Sequence, residues 1–134
     1  MNITKGLLLG LTSGILSSGV CIAFNKIYSE SFYVDFSSVL TTTGIVLSSI
    51  LGCLLMAMGY VIISKLNKPA FIPWLNVLYC ILSFVSVIGV LKYKLPLDME
   101  YPEMFPGLAV PMHFFPTLSF LALVPFFWKL KTSN

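Results

Sequence analysis

Long apolar stretches, charged only at Lys26, alternate along the chain with short polar connections. Four stretches stand out: residues 6–28, 38–64, 70–91 and 107–128. At about 1.5 Å per residue the first covers roughly 34 Å, enough for a hydrocarbon core of about 30 Å. The second carries no charge at all and is longer than a crossing needs, so it tilts or extends beyond the bilayer. KLNKP, residues 65–69, is a tight basic turn, and Pro69 suits a first helical position. The third and fourth stretches are joined by an acidic, proline-rich loop at 92–106. The pattern predicts an all-α, single-domain integral membrane protein, an antiparallel four-helix bundle with short connections. The first stretch is too long for a signal peptide and no A-x-A site follows it; Val20 before Cys21 fits no lipoprotein site. It reads as an uncleaved spanning helix.

Composition agrees with this picture. The 134 residues are 57% hydrophobic and 10% charged, against about 25% charged in soluble domains. Too few charges exist to cover a water-soluble surface, so the natural solvent is the lipid bilayer. All eight basic residues are lysine. Without arginine forks, nucleic-acid recognition is excluded as the expected function, and lysine without arginine points to an AT-rich bacterial genome. Lys5, Lys65, Lys68, Lys129 and Lys131 fall at one end of the bundle; Lys26, Lys92, Lys94 and all five carboxylates fall at the other. The positive-inside rule then puts both termini in the cytoplasm. Tyr28, Tyr33, Tyr93 and Tyr101 are expected at the outer interface, and Trp74 and Trp128 at the inner one. The two halves show no repeat of the kind found in larger transporters. Cys21, Cys53 and Cys80 lie in three different stretches with no CxxC, which reads as apolar filler and not as a redox pair.

Four features could carry function. Gly6, Gly10, Gly14 and Ser18 recur at every fourth position and make a groove for close helix packing. That groove is either a seam inside the bundle or the seam of a homodimer or larger membrane complex. Hydroxyls gather in the outer half: Thr42 and Ser49 in the second stretch, Ser83 in the third, Thr117 in the fourth. They either bond their own helices or line an outward-opening polar pocket, sealed on the cytoplasmic side by apolar packing. Asn76 is the one strongly polar residue of the inner half.

His113, the only histidine, enters the fourth stretch on a helical face with Pro116 and Thr117. Pro116 leaves the carbonyl of Met112 without its helical partner, so a kink is expected beside the imidazole. An ionisable group within a span is a functional candidate, and the loop acids Asp98, Glu100 and Glu103 lie close upstream. They either satisfy topology or form a lid stiffened by Pro96, Pro102 and Pro106. A single histidine is too few for a closed zinc site, and no metal or cofactor is expected.

The stretch PEMFPGLAVPMHFFPTLSF, residues 102–120, resembles small bacterial four-span membrane proteins of unknown function. The resemblance implies four spans and a bacterial inner membrane, and assigns no residue a role. No GxSxG, HExxH or P-loop is present. The leading expectation is therefore a non-enzymatic accessory subunit or binder of a lipid or small apolar ligand. Two other classes stand beside it: a small oligomeric transporter with His113 as proton site, and an enzyme on lipid head groups with His113 as its catalytic base.

Overall fold

The computed structural model describes residues 1–96 and 99–128, and every regular element among them is helical. Helix α1 runs Ile3–Phe32, α2 Thr42–Lys65, α3 Ile72–Lys92, α4 Phe105–Met112 and α5 Phe115–Phe127. Short 3-10 turns, Pro69–Phe71 and Pro102–Met104, lead into α3 and α4. Four crossings follow, the fourth shared by α4 and α5, and all four are long and apolar enough to span a membrane. Asp98, Lys129 and Lys131 lie outside the described residues.

The helix ends differ from the sequence expectation because local capping chemistry sets them. Asn2 accepts a hydrogen bond from the Lys5 amide, so α1 starts at Ile3 and not at Gly6. It runs on to Tyr33, which closes it in the left-handed region at φ 55°. Thr41 Oγ1 accepts from the Gly44 amide at 3.1 Å and starts α2 there, four residues later than Ser38. The intervening segment is not the plain polar loop expected. It folds back to bury Val34 and Phe36, and Phe36 meets Phe105 edge to face at 5.4 Å.

Helix α1 is the spine. Through Gly6, Gly10 and Gly14 it meets α2 running antiparallel, with Gly6 against Val61, Gly10 against Leu54 and Gly14 against Ile50; Ser18, also buried, donates to the Gly14 carbonyl of its own helix. A Cβ at Gly14 would lie 2.7 Å from Ile50 Cα, so the two backbones touch. The small-residue groove is thus filled within the chain. Elsewhere α1 packs on α4 and α5: Phe24 lies edge-on to Phe115 at 5.5 Å, and the Tyr28 hydroxyl donates to the Met104 carbonyl at 2.8 Å. Helix α3 is the most peripheral crossing, with 17% of its most apolar window buried against 39% for α1. Its outward side chains (Val77, Ile81, Phe84, Ile88) join Leu11, Ile15, Leu51 and Leu55 in an exposed apolar mantle. Such a mantle suits hydrocarbon and would be a liability in water.

Candidate functional site

The fourth crossing breaks at His113–Phe114. Pro111 and Pro116 have no N–H to give to the preceding turn. The amides of His113 and Phe114 turn instead to the carbonyls three residues back, Val110 at 3.2 Å and Pro111 at 3.0 Å. The Met112 carbonyl, orphaned by Pro116, faces the Cys21 thiol at 3.9 Å, and the Cys53 thiol donates to the Pro116 carbonyl at 3.6 Å. The break is therefore held by weak donors from α1 and α2. The imidazole of His113 folds onto its own helix, with Nδ1 2.8 Å from the Ala109 carbonyl. A carbonyl only accepts, so Nδ1 carries the proton, and Nε2 is left as the acceptor of the neutral ring.

Beside the break lies a cavity of about 390 Å³. Its walls are Gly44, Ser48, Ser49 and Gly52 of α2, Ser86 of α3, Cys21 of α1, and Met112, His113 and Pro116 at the break. Nothing lies within 4 Å of where a Gly52 side chain would begin, so this wall is open. The lining is mostly apolar with a few hydroxyls and one imidazole, the balance expected of a site for an amphiphile.

The sequence-predicted pocket residues divide into four groups. His113 and the buried Ser49 line the cavity. Ser83 and Thr117 do not: they are buried behind it and share a hydrogen bond at 2.6 Å between α3 and α5. Thr117 also reaches the Met56 sulfur at 3.8 Å, and Ser83 donates to the Tyr79 carbonyl at 3.1 Å. Thr42 is exposed in the first turn of α2, away from the cavity. Glu100 and Glu103 are exposed and neither lines it; among the described residues no carboxylate comes within 4.0 Å of His113. Glu100 and Glu103 therefore make no ion pair with the imidazole, and Asp98 lies outside the described residues. Among the described residues no three of the histidine, cysteine and acidic side chains come together as a metal site.

Sequence reading missed Gly44 and Gly52, although with Ser48 they keep the spacing of four that is the small-residue signal recognised in α1. It also expected plain apolar packing at the other end of the bundle. There the aromatic rings of Tyr60, Tyr79, Phe120 and Trp128 pack edge-on or stacked, and a second cavity lies alongside them, bounded by Tyr60, Asn76 and Trp128. Comparison with protein-family models, with curated proteins and with solved structures finds no match to this chain. The resemblance of residues 102–120 to small four-span proteins gains no support from it.

Proposed function

We propose that this chain is a non-enzymatic, multi-pass protein of a bacterial cytoplasmic membrane that holds a lipid or small apolar ligand in the cavity beside the helix break. It would act alone or as the accessory subunit of a larger membrane complex. The observation that carries this reading is the 390 Å³ cavity with the chain's one histidine in its wall. Hydrocarbon would occupy the apolar walls, and Ser49 and His113 would meet a polar group of the ligand. The lysine distribution supports both termini on the cytoplasmic side, which would make this cavity outward-facing. The enzyme reading is the weaker one, because neither described loop acid comes within 4.0 Å of His113, and the Ala109 carbonyl alone among the described residues orients its imidazole.

The test is lipid retention. Protein purified in mild detergent is analysed by native mass spectrometry, wild type beside Gly52→Leu, which builds into the open wall from a Cβ that meets nothing within 4 Å. Loss of a bound species in the variant, with helicity unchanged, is the expected result. An identical bound complement in both proteins rules the reading out.

One observation favours transport as a second reading. The fourth crossing is discontinuous beside an ionisable group, a feature of helices that carry transporter sites. Uptake by proteoliposomes that depends on a proton gradient in wild type and is lost in His113→Gln would replace binding by transport.

A further inference from the structure

At the end of the bundle near the 65–69 turn, α2, α3 and α5 border an open-sided cavity of about 590 Å³. Its lining includes Tyr60, Asn76, Trp128 and the rings of Pro69, Pro73 and Pro125. No charged side chain among the described residues lines it, so none of these offers an ion or a charged head group a partner. What the cavity does offer is a donor. Asn76 accepts the Tyr60 hydroxyl proton on Oδ1, which leaves its amide N–H groups unused by any described acceptor. A donor without an acceptor is costly where hydrocarbon stands in place of water. The indole Nε1 of Trp128 is closed off from the cavity, so this ring serves as a wall. The walls are flat: the Tyr60 and Trp128 rings, held edge to face at 5.8 Å, and three pyrrolidine rings.

We infer that this cavity binds a neutral, lipid-soluble ring compound bearing carbonyl acceptors, the quinone class of molecule, with a carbonyl on Asn76. Apolar flat walls take the ring and the Asn76 amide takes an oxygen. The volume exceeds that of a single six-membered ring, leaving space for the start of an apolar tail. Only binding is inferred, with no electron transfer. The site is separate from the cavity beside His113, so Gly52→Leu leaves it intact.

The experiment uses the full chain in lipid nanodiscs with Trp74→Phe, which makes Trp128 the single indole. Trp74 is 72% exposed on the outside of α3, so its loss is tolerated. A decyl-substituted benzoquinone is titrated against Trp128 fluorescence, with decylbenzene as the competitor that lacks carbonyls. Saturable quenching that decylbenzene displaces poorly is expected. Asn76→Leu should weaken it about ten-fold, the worth of about 1.4 kcal/mol. Because Asn76→Leu also strips the Tyr60 partner, Ala70→Phe is the second variant. It narrows the cavity from the exposed 3-10 turn, breaks no hydrogen bond and should abolish saturation. Quenching that rises linearly with quinone in the lipid, or that survives Ala70→Phe, overturns the proposal. So does equal competition by decylbenzene.

Discussion

Gly14 is the position least able to accept a larger residue, because what stands opposite is backbone. A methyl group there would sit 2.7 Å from Ile50 Cα, and a helix axis has to move to relieve it. At Gly6 the obstacle is the Val61 side chain, which can rotate. Gly19, on the same helix, meets nothing within 4 Å. Gly14→Ala should therefore cost about 1–3 kcal/mol, the range for overpacking a tight interior, in a detergent-unfolding titration. Gly19→Ala should be neutral or slightly stabilising, since alanine favours helix over glycine. Asp35 provides a second residue-scale prediction, outside the membrane. The Ser37 backbone N–H, 2.8 Å from Oδ1, and then the Ser37 hydroxyl, hold its carboxyl below the ordinary 3.8. A depressed folded value means the ionised form favours the 33–41 turn above pH 3.8, and that contribution is lost as pH falls through the lower folded value. Carboxyl carbon NMR should show Asp35 titrating below 3.8 and moving up in Ser37→Ala, which keeps the amide and removes the hydroxyl.

The helix break is a matter of single missing hydrogens. Pro116→Ala returns an N–H that can reach the Met112 carbonyl, displacing the weak Cys21 contact, whereas Pro111 goes on limiting the turn before it. The fourth crossing should straighten and carry His113 away from the cavity beside α2. Spin labels at the exposed Glu103 and Ala122 should report a longer, narrower distance distribution in Pro116→Ala than in wild type, and an unchanged distribution would show that packing alone bends the element. The kink was legible from Pro116 because the missing bond is a local property. The four crossings were legible for a similar reason, since a bilayer demands continuous apolar stretches. Which hydroxyls share a cavity was not. That depends on how each helix is rotated about its axis, and helices this apolar on every side carry little record of it. Ser83 and Thr117 point at each other instead of into the cavity, and their 2.6 Å bond is between elements. Helix starts at Asn2 and Thr41 were misjudged because one capping side chain outweighs the run of hydrophobicity beside it.

For the molecule as a whole, packing within the bundle does not say which end faces the cytoplasm; the proposed orientation rests on charge. Lys5, Lys65 and Lys68 cluster at the end bearing Trp74 and Trp128, without an acid among the described residues there. At the opposite end Lys26 lies 3.9 Å from Glu30 on an exposed helix face, and Glu100 and Glu103 are also exposed. An exposed pair of this kind adds little stability, so these acids matter chiefly for topology. Reversing the chain would carry the lysine-rich end across the membrane, against the bias that sets orientation. The test needs a background without native thiols. Cys21 and Cys53 are buried and Cys80 faces the apolar mantle, so replacing all three with alanine or serine disturbs no ionised group. In intact cells a membrane-impermeant maleimide should label Glu100→Cys at once and Lys68→Cys only after lysis. Adding three lysines beside Glu100 should lower the labelled fraction at that position by forcing part of the population to invert. If Lys68→Cys is the one labelled in intact cells, the cavity beside His113 opens to the cytoplasm and the one beside Trp128 opens outward. Both binding proposals would then keep their residues and exchange their sides.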